Sequence, residues 1–277
     1  MKPAPSGGPD YDSRTRRAQY LASAHPFAAE VLAFYAKVAQ FQRELCLKFR
    51  PASRNQSLAA EQLRSQQLNL LPLLPHFPGW LEFVSRSGPS GAAEAARQFV
   101  ARGESTWPAA FTRFWSLRGN PPDAGEKDPL EQFLLLGFLQ PYGELLAASQ
   151  PESGLPTSSR DCPRCGFAPV VGVLRPEGDG GKRHLLCSFC LQEWDTRRIY
   201  CAACGEEDEK KLPLYVAEQF PHIRVEACDM CHSYLRTIDL TKNGNAVPLV
   251  DDLAAIPLTL WAQEHGYTRL TNNLLGT

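Results

Sequence analysis

The chain lacks an excess of charge of either sign: 29 Lys+Arg stand against 30 Asp+Glu, a formal net charge of −1. Divided at residue 155, the first part holds 16 basic and 14 acidic residues and the second 13 and 16. Neither part carries the basic stripe that a phosphate-backbone binder needs, so a nucleic-acid partner is not expected. Also missing is any apolar run near the roughly 18 residues of a membrane span. The opening Met1-Lys2-Pro3-Ala4-Pro5 has no apolar core of a secretory signal. Arg16-Arg17 is followed by Ala18-Gln19-Tyr20 and does not open a twin-arginine signal. These absences predict a cytoplasmic protein without membrane insertion.

Catalytic signatures are equally scarce. The helical half shows no phosphate-binding loop, dinucleotide fingerprint or nucleophile–base–orienter set. Gly178-Asp179-Gly180-Gly181-Lys182 is glycine-rich but lacks the order of a phosphate cradle and opens no helix, so it reads as a hairpin turn. None of the six histidines is followed two residues later by glutamate, as a zinc deaminase would require ahead of its Pro-Cys-x-x-Cys segment. No catalytic residue is assigned, and an enzyme is not expected.

What is present begins with 43% hydrophobic residues, enough to bury a full core and to exclude disorder of the whole chain. Residues 1–150 read as a helical domain. From Pro26, the apolar residues Val31, Phe34/Tyr35, Val38, Phe41 and Leu45 recur at helical spacing. Further helices are expected over 57–71, after Ser90, and from Asp128, where Asp-Pro-Leu-Glu supplies an N-cap, a first-turn proline and a capping-box glutamate. Pro141 is expected to end the last of these. Trp80, Trp107 and Trp115, without a basic cluster beside them, read as packing residues. Residues 148–160, rich in Pro, Ser and Gly, mark a linker.

The second half is dominated by cysteine. Eight of the nine cysteines form four C-x-x-C pairs: Cys162/Cys165, Cys187/Cys190, Cys201/Cys204 and Cys228/Cys231. In a reducing compartment such pairs read as metal ligands or redox thiols rather than disulfides. Two residues between thiolates let a tight knuckle aim both sulfurs at one ion, and Gly166 and Gly205 supply the backbone freedom that turn favours. Sequential grouping gives two tetrahedral sites. Cys46, in an apolar helical stripe, reads as an inert core thiol.

Between the knuckles lie strand pairs: 169–174 with 183–186, and 214–217 with 222–225. A further strand follows each second knuckle, 193–200 and 233–240, so whole hairpin units repeat at a spacing of about forty residues. Thioredoxin-type exchange would place a pair at a strand-to-helix junction, whereas these pairs flank hairpins. His184, His222 and His232 lie near the knuckles, but eight thiols already complete two sites. The expected class is therefore α+β: an N-terminal all-α domain, two rubredoxin-like or zinc-ribbon four-cysteine modules over 160–200 and 201–245, and a short C-terminal helical segment over 246–277. In that last segment Asp251 reads as an N-cap, Pro257 as a kink or break, and Gly266 as the stop.

Cys-Pro-Arg-Cys-Gly at 162–166, Leu-Cys-Ser-Phe-Cys at 186–190 with Glu193-Trp194 behind it, Cys-Ala-Ala-Cys, Cys-Asp-Met-Cys and Asp-Asp-Leu-Ala at 251–254 together resemble the formate dehydrogenase accessory protein FdhE family. The resemblance is most specific over 160–270. It implies a cytoplasmic, non-enzymatic maturation factor that binds the formate dehydrogenase catalytic subunit. It also implies that the eight paired cysteines are the metal ligands, holds iron in rubredoxin-like sites, and draws attention to Asp251 and Asp252 as partner-binding residues. The frequency of four-thiolate sites in general favours zinc, and the ligand type admits either ion. The alternative is a redox-active iron protein, an electron carrier or thiol-redox protein using one of the sites. A homodimer is left open.

Overall fold

The computed structural model describes residues 9–54, 70–116, 118, 128–149, 159–178 and 180–277. Most of the expected helix over 57–71 and most of the expected linker lie outside the described residues. The N-terminal half is helical: α1 (Tyr11–Ala24), α2 (Ala29–Arg54), α3 (Phe77–Ser87), α4 (Ser90–Ala101), α5 (Trp107–Ser116) and α6 (Pro129–Ala148). Three of these, α1, α3 and α5, are additions to the helices expected from sequence. Pro78 and Pro108 sit in the first turns of α3 and α5, where the absent N–H would have had no partner anyway. Trp80, Trp107 and Trp115 are all buried in one aromatic-rich core with Phe77, Phe111 and Phe138.

Asp128 caps α6 as expected, its carboxylate accepting from Leu130 N at 2.9 Å. Glu131 serves a different end from the capping box: it binds Arg102, the C-cap of α4, at 3.0 Å and Arg113 of α5, tying three helices together. The expectation that Pro141 ends the helix is overturned, for α6 continues through it to Ala148. Proline in a helix leaves the carbonyl four residues earlier, Gly137 O, without its amide. Fully buried Gln42 of α2 supplies the substitute, donating Nε2 to Gly137 O at 2.9 Å. Gln42→Leu should therefore strand a buried carbonyl and lower stability by about 1–3 kcal/mol, read as a fall in urea midpoint without a change in slope.

The C-terminal half holds one seven-stranded sheet of order β3-β2-β1-β6-β5-β4, with β7 added to β6. Its strands are β1 (Pro169–Glu177), β2 (Gly180–Cys187), β3 (Glu193–Asp195), β4 (Leu214–Val216), β5 (Ile223–Ala227), β6 (Ser233–Asp239) and β7 (Thr268–Arg269). The hairpins β1–β2 and β4–β5 fall where the strand pairs between the knuckles were expected. β3 is shorter than the expected 193–200: after Thr196 N donates to Arg183 O, the chain leaves the sheet edge toward Cys201.

The two hairpin units do not stand apart. β1 pairs parallel with β6 in the register Gly172↔Thr237, making the sheet continuous. A Cβ on Gly172 would lie 2.1 Å from Thr237 Oγ1, so the close approach at this seam requires glycine. The C-terminal segment forms α7 (Pro248–Ala254) and α8 (Ile256–Glu264), broken at Ala255 just before Pro257, and Gly266 at φ +81° follows the stop. Asp251 is not the N-cap as expected. That position is Val247, and Asp251, within α7, reaches back to accept from Val247 N at 2.8 Å.

Candidate metal centres

All four C-x-x-C pairs adopt the same turn. In each, the first cysteine's N–H donates to the carbonyl five residues on: Cys162 to Phe167, Cys187 to Gln192, Cys201 to Glu206 and Cys228 to Ser233, at 2.8–3.0 Å. The residue after each second cysteine has positive φ: Gly166 (77°), Leu191 (52°), Gly205 (85°) and His232 (53°). Glycine marks two of these positions in the sequence. At the other two, Leu191 and His232, the left-handed conformation is held by the turn against the residue's own preference, which hides them from a glycine-based reading. The turn also points amides at sulfur, as Phe189 N and Cys190 N each lie 3.4 Å from Cys187 Sγ.

The pairs combine as expected, Cys162, Cys165, Cys187 and Cys190 in one cluster and Cys201, Cys204, Cys228 and Cys231 in the other, with the sulfurs of each within 4.8 Å of one another. In the first, Cys162–Cys190, Cys165–Cys190 and Cys165–Cys187 separate by 3.7, 3.6 and 3.4 Å. In the second, Cys201–Cys231 and Cys204–Cys228 are both 3.7 Å apart. Tetrahedral coordination with metal–sulfur bonds of about 2.3 Å requires edges of about 3.8 Å, so both clusters fit an ion with little movement.

Electrostatics point the same way. Burial and the adjoining sulfurs push the Cys165 thiol far up, and the neighbouring sulfurs do the same to Cys190. Cys162, against its own burial, is brought well down by hydrogen bonds from its partners. Burial also raises Cys201 and Cys228. Four thiolates in such a space repel one another, and a central cation is what makes their joint ionisation favourable. Either zinc or iron would be held by these residues. Zinc would supply structural cross-linking, and iron would add one-electron chemistry.

Environment separates the two clusters. The first is sealed, its four cysteines 0–2% exposed. Phe189 stacks on Phe167 with centroids 4.7 Å apart, Trp115 of α5 meets Phe189 edge-on, and Gln140 of α6 donates to Ser188 O at 3.1 Å. A Cβ at Gly143 of α6 would lie 2.6 Å from Phe189, so the helical half closes directly over this cluster. The second cluster lies at the surface, with Cys204 exposed and Cys231 half-buried. His232 follows it with its ring near Tyr267, and Tyr267 donates to Asp229 at 2.6 Å. His184 pairs with Asp195, and His222 with Asp251. No histidine belongs to either group of metal-capable side chains among the described residues. Cys46 is buried in the helical half, where burial raises its thiol.

Asp251 and Asp252, the suggested partner-binding pair, are 1% and 0% exposed. Burial would raise the Asp251 carboxyl, but hydrogen bonds from Arg17 of α1 and from His222 hold it below its ordinary value. It thereby joins α1, α7 and the second hairpin unit. Asp252 pairs ionically with Arg236 Nε and Arg269 Nη2, each at 2.7 Å, and accepts from Asn273 Nδ2 at 2.7 Å. Their cationic partners are 234 and 17 residues away in sequence for the Arg17–Asp251 and Arg269–Asp252 contacts, beyond the reach of any local pattern.

Comparison with known proteins gives a consistent result. Residues 161–198 match the family model described as FdhE, central domain, and 199–275 match that described as FdhE, C-terminal domain. A Protein FdhE homolog of Aquifex aeolicus is 30% identical over 215 residues, 77% of this chain and 74% of that one. One from Haemophilus influenzae is 26% identical over 269 residues, 94% of this chain and 85% of that one. The crystal structure of the FdhE protein from Pseudomonas aeruginosa superposes with a TM-score of 0.70 over 98% of both chains at 24% identity, a likeness of fold.

Proposed function

The chain belongs to the FdhE family, and we propose that it serves formate dehydrogenase as a non-enzymatic accessory factor, binding the catalytic subunit in the cytoplasm during maturation. The observation that carries the reading is the pair of complete four-cysteine clusters, at the positions that carry the family resemblance, welded into one sheet and closed on one side by the helical half. Among the described residues no helix is long and apolar enough to cross a membrane, consistent with a partner met in the aqueous phase. Ligand completeness favours a scaffold over a catalyst, for every paired sulfur is committed to a cluster and a catalytic zinc keeps a position open. We propose the eight cysteines as ligands of two ions. Asp251 and Asp252 act in this reading as internal ties that fix the surface presented by α7.

Deleting the gene in its host and restoring it on a plasmid tests the role. Formate-dependent dye reduction in extracts should fall to background in the deletion strain and return on complementation. Undiminished activity in the deletion strain overturns it and moves the redox-carrier alternative forward, whose signature is reversible bleaching of a visible band of the iron-loaded protein.

A further inference from the structure

The two clusters share ligands, spacing and turn, so sequence gives no ground to rank them, yet the fold gives them opposite access to solvent. Around the first, Trp115, Phe167 and Phe189 and two helices leave no route to sulfur short of separating the helical half from the sheet. The second is open on two sides. Cys204 is exposed at the outer surface, and Met230 within the last knuckle is 57% exposed, so among the described residues neither a helix nor a loop covers that turn. On the other side, a cleft of about 470 Å³ between the hairpin units reaches Cys201 and Cys228, with Leu174 and Leu235 in its lining and Arg198 among the residues around it. The same cluster is thus reachable both at its outward sulfurs and from a cleft large enough for several side chains of another molecule.

We propose that the second cluster is a metal-exchange site, at which thiolate ligands of another molecule displace Cys204, while the first cluster retains its ion for the life of the fold. An incoming thiol gives up its proton and its sulfur bonds to the ion. The Cys204–metal bond breaks as that bond forms, and Cys204 takes the proton and leaves as a thiol. The ion keeps four sulfurs and its oxidation state throughout, so no oxidant or reductant enters. Repetition at Cys231, the other accessible sulfur, passes the ion outward, and the reverse sequence loads it. Associative ligand exchange needs only an open path to the metal, whereas loss from a sealed site waits on local unfolding. The assignment does not rest on the accessory role, since it concerns the purified chain.

The test uses the full chain loaded with cobalt(II), whose sulfur-to-metal band reports each ion, mixed with a chromogenic chelator and increasing thiol. Release should occur in two equal phases separated on the order of a hundredfold in rate, the fast one rising with thiol concentration and the slow one indifferent to it. Alkylation with iodoacetamide after the fast phase, followed by peptide mass mapping, should label Cys201, Cys204, Cys228 and Cys231 and spare Cys162, Cys165, Cys187 and Cys190. Cys204→Ser should accelerate the fast phase and leave the slow phase unchanged. Glutathione and a Cys-x-x-Cys peptide at equal thiol concentration distinguish the source of the incoming ligand: greater acceleration by the peptide points to a protein, and equal acceleration to small thiols. A single phase for both ions, labelling of the first cluster, or a fast phase insensitive to both thiols overturns the proposal, and the wild-type labelling decides the matter even where the serine variant fails to load.

Discussion

Cys165→Ser should abolish cooperative unfolding of the whole chain, whereas Cys204→Ser should keep it. The difference arises from what each cluster holds. Cys165 is buried in the same core as Trp115, Phe138 and Leu139 of the helical half and Val171 and Leu185 of the sheet. A structural four-thiolate ion contributes about 10–16 kcal/mol of apparent folding energy in small zinc domains. That matches or exceeds the roughly 5–15 kcal/mol by which an ordinary domain is stable. With the cysteines as the proposed ligands, losing one from the sealed cluster removes its ion and the anchor for Phe167 and Phe189 together. Near-UV circular dichroism should collapse toward the unfolded signal, and bound metal should fall from two ions per chain to one or fewer. At the surface cluster Cys204 is exposed, and none of its four cysteines belongs to the buried core that joins helices and sheet, so loss of Cys204 loosens the surface turn rather than that core. A Cys165→Ser protein with native near-UV signal and an unchanged melting temperature contradicts this account.

The second large effect is expected at Asp252. Its carboxylate is fully buried between Arg236 and Arg269, which are themselves almost completely shielded. Burial pushes the Arg236 guanidinium down to about 10, and Asp252 offsets part of that cost. The charges are thus retained in spite of their environment. Asp252→Ala takes away the carboxylate shared by two buried cations, leaving them the oxygen of Thr277, and Asn273 loses an acceptor as well. Breaking a buried pair in this way costs about 3–5 kcal/mol. Urea unfolding should show a midpoint lowered to match, with the native spectrum retained at zero denaturant if the remaining stability suffices. A change below about 0.5 kcal/mol, the range of an ordinary surface substitution, would mean that water reaches the pair and that the junction is not closed in solution.

The part of the site legible in sequence was the part encoded locally. A C-x-x-C knuckle needs only its own few residues to form, so both the clustered cysteines and their grouping followed from spacing. Strand-forming runs bounded by turns between the knuckles gave the hairpins for the same reason, and Asp128-Pro129 gave the start of α6. Errors arose where a distant residue altered a local rule. Pro141 should end a helix, but Gln42, 95 residues from Gly137, satisfies the stranded carbonyl. Asp251 has the look of a cap, yet Arg17 and His222 draw its carboxylate into the interior.

The sequence by itself determined that this protein carries two four-cysteine clusters, which residues form them, and to which family the pattern is similar, because spacing along the chain constrains tetrahedral thiolate chemistry directly. Tertiary structure alone decided that the two hairpin units share one sheet through Gly172 and Thr237, and that one cluster is sealed beneath the helices while its twin meets solvent. Burial is a property of what packs against a residue, and the elements that cover Cys165 or expose Cys204 come from segments that no local pattern connects to them.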